Sequence, residues 1–203
     1  MRKHLFIVGL IITGSLIVLS CNDVCSCKKV SCPAYKNANF DQWFPYQANQ
    51  TIVFNDTTHS LANDTITITS ISATESYEAN RGCYNGASGC TSNKYIYSSY
   101  LSVNYSSSTE WDNSAGDSNY IFTLHDFSVN AKGINSGGFV NTSYPSGYYT
   151  SINLAGKTYQ NVQTIFRTDT ANTNYDVYQV YVEKGVGVIA WRSQYAKTLF
   201  VLK

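Results

Sequence analysis

His59, His125 and a scattered set of carboxylates are the residues of this 203-residue chain best suited to acid–base chemistry. The third histidine, His4, belongs to an N-terminal basic stretch. Neither His59 nor His125 falls in a zinc-ligand or triad spacing. His125-Asp126 could supply two members of a nucleophilic triad, but neighbours on a strand point to opposite faces, which separates their side chains. A glycosidase needs two carboxylates held close together across a cleft, and Glu75, Glu78, Glu110, Asp112 and Asp126 show no pairing. No catalytic residue and no cofactor is therefore expected. A polysaccharide-acting hydrolase is the residual enzymatic reading.

The cysteines are the other reactive set, at positions 21, 25, 27, 32, 83 and 90. Cys83 and Cys90 bracket a short, flexible Tyr-Asn-Gly-Ala-Ser-Gly segment, which a disulfide could close. A second bridge is expected from Cys32 to Cys25 or Cys27. Those three thiolates could instead hold zinc or cuprous copper, but no fourth ligand is visible nearby, so no metal site is expected.

Cys21 has a different chemistry. Arg2, Lys3 and His4 precede an apolar run from Leu5 to Leu19, the form of a signal peptide. The run is shorter than the roughly 20 apolar residues of a spanning helix, and Gly9, Thr13, Gly14 and Ser15 interrupt it. Val18-Leu19-Ser20-Cys21 resembles the lipobox, in which an apolar residue at minus three and a small one at minus one precede a lipidated cysteine. No alanine occurs before Ala34, so the small-x-small cleavage pattern finds no better site. Cleavage before Cys21 and acylation of its thiol, palmitate included, are expected. Several acyl chains on one residue anchor stably where one would not. The expected organisation is a signal peptide at 1–20, a lipidated cysteine-rich tether at 21–37 and one domain at 38–203.

Loss of Arg2 and Lys3 with the signal peptide takes the formal charge from +1 to about minus one. The only remaining adjacent basic pair is Lys28-Lys29, whereas a nucleic-acid binder carries a clustered basic face, so no nucleic-acid partner is expected. The domain is long enough to bury a core of its own.

Its pattern is that of strands. Thr65-Ile66-Thr67-Ile68-Thr69 alternates with period two. Lys94–Tyr105 reads as one strand with Tyr95, Tyr97, Leu101, Val103 and Tyr105 on one face and Lys94, Ser98, Ser102 and Asn104 on the other. Further strands are expected at 50–54, 119–127, 149–154, 158–166, 175–183, 186–192 and 198–202. Turn chemistry separates several of them, at Asn85-Gly86, Gly137-Gly138, Pro145-Ser-Gly147, Ala155-Gly156 and Lys184-Gly185. A short helical turn at 39–44 would end before Pro45. This is an all-β chain, a single antiparallel domain folded as a barrel or a sandwich.

Gly156-Lys-Thr-Tyr-Gln-Asn-Val162, the tyrosine-rich strand Tyr175-Asp-Val-Tyr178, Tyr181-Val-Glu-Lys-Gly-Val-Gly-Val-Ile189 and the closing strand Leu199–Leu202 resemble the ending of a family of uncharacterised Bacteroidota lipoproteins. Pro33-Ala-Tyr35 and Phe40-Asp-Gln-Trp-Phe-Pro-Tyr46 resemble the start of the same family's domain. The resemblance implies a host phylum and an antiparallel β-domain, with no activity attached; the expected address of the lipid anchor is the outer membrane. Within the motif Gly185 serves a turn, and Gly187 either permits a bulge or lets a neighbouring side chain lie flat. The resemblance also implies O-glycosylation at Thr57, Thr65 and Thr170, each of which follows an aspartate.

The 17 tyrosines and three tryptophans stand among many Ser and Asn residues. Tyrosine suits binding surfaces, and it equally fills cross-strand pairs. The expected function is a non-catalytic binding module for a protein, a glycan or a small apolar ligand, held to the membrane by its N-terminal lipid. The alternative is an accessory component of an envelope complex with no small ligand.

Overall fold

A computed structural model describes residues 32, 34–78, 89–109, 118–140, 142–168 and 176–203. Helix α1 (Ala38–Trp43) starts where the Asn37 side chain caps it, accepting from the Phe40 backbone N–H at 2.9 Å. It turns Phe40 and Trp43 into the core and stops ahead of Pro45.

The alternating strands follow. β1 (Thr51–Asp56) buries Ile52, Phe54 and Asp56 and pairs with β2 (Asp64–Thr67). The alternation read across Thr65–Thr69 stops at Thr67, because Ile68 and Thr69 carry the chain from one sheet to the other. The Ile68 N–H donates to Gln50 at 2.9 Å and the Thr69 N–H to Tyr97 at 2.7 Å. β3 (Ser70–Glu78), β4 (Gly89–Tyr97), β5 (Leu101–Thr109), β6 (Ser118–Leu124) and β7 (Phe127–Lys132) then form a five-stranded antiparallel meander. β8 (Ile134–Asn135) and β9 (Gly138–Phe139) make a small hairpin. β10 (Ser146–Leu154), β11 (Lys157–Phe166), β12 (Val177–Glu183), β13 (Gly187–Ser193) and β14 (Leu199–Leu202) join β1 and β2 in a seven-stranded sheet ordered β10-β11-β12-β13-β14-β1-β2. Neither sheet closes on itself, so of the two architectures expected the sandwich is the one formed.

Two expected strands are each a hairpin. Within Lys94–Tyr105 the buried Ser98 hydroxyl donates to the Leu101 carbonyl at 2.8 Å and accepts from the Leu101 N–H at 2.7 Å, closing a turn without glycine, proline or asparagine. The turn reverses the face on which odd-numbered residues lie. Leu101, Val103 and Tyr105 are buried with Ile96, while Tyr95 and Tyr97 point outward with Ser102 and Asn104. Within 119–127 the turn is His125-Asp126, with His125 at φ 51.

The main core lies between the sheets, where Ile96, Val103, Phe122 and Val129 meet Phe54, Val180, Val188 and Phe200. The aromatic side chains of α1 and the following segment fill one part of it. Phe44 stacks on Phe122, centroids 5.8 Å apart, and Trp43 donates from Nε1 to the Asn135 carbonyl at 3.2 Å. The other face of the seven-stranded sheet carries a second core, because the β10–β11 hairpin brings Leu154 and Tyr159 against Tyr181, Ile189 and Val201.

The segment expected to be tether is docked from Cys32 onward. Cys32 is bonded to Cys90 on β4, Tyr35 packs edge-on against Tyr105 at 5.8 Å, and the Tyr35 N–H donates to Glu75 at 2.6 Å. Domain packing thus begins before the expected boundary at 38. This bond corrects both expected pairings: Cys90 is joined to Cys32 and not to Cys83, and Cys32 is not joined to Cys25 or Cys27. Sequence proximity suggested those pairs, but folding brings the Cys32 and Cys90 Cα atoms to 5.6 Å across 58 residues. Cys21, Cys25, Cys27, Cys83 and the turn Asn85-Gly86 lie outside the described residues.

Candidate binding face

Of the titratable side chains singled out from the sequence, His125, Asp126 and Glu75 are engaged in holding the fold. His125 does not work with Asp126. Its Nε2 meets Asp64 Oδ2 at 2.9 Å, and its ring lies 5.0 Å from Trp191 and 5.1 Å from Tyr100. The Asp126 carboxylate accepts the Val177 N–H at 3.0 Å and the Asp176 N–H, while Arg167 donates to the Asp126 carbonyl. The β6–β7 turn is therefore a clamp between the two sheets. Glu75 receives Tyr35, and Lys94 is paired with Asp41 beside the Tyr35 and Phe40 rings. His59 is exposed in a turn at φ 57. Glu110 and Asp112 lie outside the described residues, as does the Glu78 side chain.

Asp56 is the most heavily bonded of these groups. Its carboxylate accepts the N–H groups of Thr58, Ser60 and Leu61 and the hydroxyls of Thr58, Ser60 and Thr198. Desolvation alone would raise its pKa, but the hydrogen bonds from Thr198, Thr58 and Leu61 together hold it well below the usual carboxylate range. Among the expected glycosylation positions, Thr57 is half-buried beside Thr198 and Thr65 is exposed on β2, while Thr170 lies outside the described residues. Among the described residues no group of His, Cys, Asp and Glu gathers where it could hold a metal ion, and no helix is long and apolar enough to cross a membrane.

What remains unengaged is a surface. Alternation along the five-stranded sheet sends one set of side chains into the core and the other to solvent, and the register aligns the outer set in rows. One row runs Ser72, Tyr95, Asn104, Ile121, Asn130. The next runs Ser70, Tyr97, Ser102, Thr123, Ser128. A third runs Thr74, Asn93, Ser106, Asn119, Lys132. The only charged residue in these rows is Lys132. Besides it, the exceptions to their small polar chemistry are Tyr95, Tyr97 and Ile121, exposed by 37%, 54% and 43%. Tyr95 and Tyr97 are same-face neighbours about 7 Å apart, and Ile121 lies two strands from Tyr95, about 10 Å away. Between them the Asn104 amide oxygen is covered and has no hydrogen-bond partner.

Beside Ile121 the surface opens into a cleft of about 410 Å³, where Asn119, Asn130, Lys132, Thr142 and Ser143 border a largely apolar floor. Ser143 is held there by donating its backbone N–H to the Asn130 carbonyl at 2.9 Å, extending the sheet past β7. A second open cleft, about 550 Å³, lies between the β10–β11 tip at Ala155 and Lys157 and the ends of β1 and β14. Part of its wall is the Asp56 turn, whose carboxylate is already saturated by the fold.

The aromatic residues divide accordingly. Trp43, Trp191, Tyr46, Tyr105 and Tyr120 belong to the core, whereas Tyr95 and Tyr97 belong to the face. The sequence pattern sets these two tyrosines on one face with Leu101, Val103 and Tyr105, which the turn at Ser98 separates from them. The signal that could have found the exposed face is the density of Ser, Thr and Asn at every second position of three consecutive strands.

Compared with known proteins, the chain matches no protein-family model, no curated protein and no solved structure.

Proposed function

We propose that this protein is a secreted lipoprotein of the Bacteroidota type, anchored to the outer membrane through Cys21, whose sandwich is a non-catalytic binding module. The outer face of the five-stranded sheet is its binding surface. The observation that carries this reading is the exposure of Tyr95, Tyr97 and Ile121 on a sheet face that, Lys132 apart, otherwise bears small polar groups. Large apolar side chains held out from a rigid sheet are ready for a partner at little cost in ordering. The N-terminal segment is bonded to β4 at Cys90, about 23 Å along the strand from Tyr97, so a tether entering there leaves the tyrosines at the far end.

Anchoring and binding are tested separately. Cys21→Ala should move the protein from the membrane to the soluble fraction, and intact-mass analysis of the native protein should show an acylated chain beginning at Cys21. An unmodified mature chain that stays with the membrane defeats the anchoring proposal. For binding, wild type and a Tyr95→Ala/Tyr97→Ala variant are used to capture envelope components. Identical recovered material defeats the assignment of the face.

A second reading, an accessory component of an envelope complex, is favoured by β10. This edge strand spans nine residues, Ser146–Leu154, with no charged side chain and with Tyr148 and Tyr149 exposed. Edges of that kind pair with other chains unless something blunts them.

A further inference from the structure

We infer that the ligand of the outer face is a neutral oligosaccharide chain, an assignment that rests on reading this face as the binding surface. The argument is one of chemical matching. A sugar ring offers apolar C–H faces and a rim of hydroxyls, each of which both donates and accepts. Tyr95 and Tyr97 present flat apolar rings with a polar tip, side by side along one strand, which suits successive rings of one chain. Around them stand side chains that donate and accept without charge. Asn104 lies opposite Tyr95, Ser102 opposite Tyr97, and Asn119 and Asn130 flank Ile121 at the cleft. A side-chain amide can engage two hydroxyls at once.

Charge selects against the other candidates. Uronates, sulfated glycans and phosphate-bearing lipids call for clustered Lys or Arg, and the three rows contain Lys132 alone. A protein partner that pairs charged groups around the interface rim would meet only Lys132 in these rows. A small apolar ligand wants an enclosed pocket, and the cleft beside Ile121 is open to solvent.

The test is affinity electrophoresis of the mature, detergent-solubilised protein through native gels containing mannan, xylan, a β-glucan or starch. Polygalacturonate and heparin serve as anionic controls. Retardation by at least one neutral polymer and by neither anionic one is expected. Tyr97→Ala and Asn104→Ala should each weaken that retardation about fivefold or more, Tyr97→Phe should keep most of it, and melting temperatures should stay unchanged. Stronger retardation by the anionic polymers overturns the inference. If no neutral polymer retards the protein while the tyrosine-dependent capture succeeds, the glycan assignment falls and the binding face stands. If a neutral polymer binds Tyr95→Ala/Tyr97→Ala as well as wild type, both fall.

Discussion

Cys32 and Cys90 are joined across 58 residues, tying the segment that leads into α1 to the second strand of the five-stranded sheet. The bond closes a loop containing α1, β1, β2 and β3, so its removal should enlarge the entropy of the unfolded chain. Cys90→Ser is expected to lower unfolding stability by about 2–4 kcal/mol, measured by urea denaturation without reductant. Peptide mapping of unreduced protein should yield a cross-linked peptide containing Cys32 and Cys90. A peptide joining Cys83 to Cys90 would contradict the structure.

The C-terminal strands were the most legible part of the fold, and the reason is their burial. Val180, Val182, Val188, Ile189 and Phe200 are almost wholly buried, so apolar composition alone marks their strands. β3 escaped detection because only a thin cover lies over it. Its inward positions are Ile71, Ala73 and Glu75, and the last of these meets the backbone of Tyr35 instead of the core. The candidate face was hidden by a single turn. Ser98 reverses the chain through its own hydroxyl, and once that reversal is missed Tyr95 and Tyr97 are assigned to the wrong side. Serine at 98 does not announce this by itself, since in this chain serine also fills strand positions, at Ser102 and Ser106 of β5.

Gly187 sits beneath the ring of Tyr46 at φ +98, and a Cβ there would lie 2.5 Å from the Tyr46 hydroxyl oxygen. That hydroxyl accepts the Val188 N–H at 2.7 Å, and next to it the β12–β13 pairing shifts register. Of the two readings of Gly187 the close approach by a side chain is the one seen; the residue itself pairs in register with Glu183, and the bulge falls further along at Val188–Ala190. Gly187→Ala should cost at least about 2 kcal/mol through backbone strain and displacement of the ring. Tyr46→Phe should cost about 1–3 kcal/mol by stranding the buried N–H. Because Phe relieves part of the Ala clash, the double variant should lose less than the two single losses combined. Full additivity in urea midpoints would show that the two positions do not meet.

Gln163 performs the work of a missing strand. Its side chain accepts the Phe139 N–H at 2.6 Å and donates to the Phe139 carbonyl at 3.2 Å, docking the β8–β9 hairpin against β11. Gln163→Leu keeps the volume but leaves a backbone donor and acceptor unpaired. A loss of about 2–4 kcal/mol is expected, together with fast amide exchange at Phe139 in the native state. Protection of that amide equal to wild type would mean that the hairpin is held by its apolar contacts alone.

Asp56 should make the domain acid-sensitive. Its folded-state pKa lies below that of the unfolded chain, so the native state binds fewer protons there and the stabilisation is complete above about pH 4. It is then lost progressively as pH falls toward the folded-state value. Asp56→Asn cannot titrate and also loses acceptor capacity toward Thr58, Ser60 and Thr198. The variant should be less stable than wild type near neutral pH, and the gap in urea midpoint should narrow as pH falls below about 4. Reading the difference between the two proteins removes the contribution of every other carboxylate. A gap of constant size from neutral pH down to about pH 2 would show that the Asp56 charge does not hold this turn.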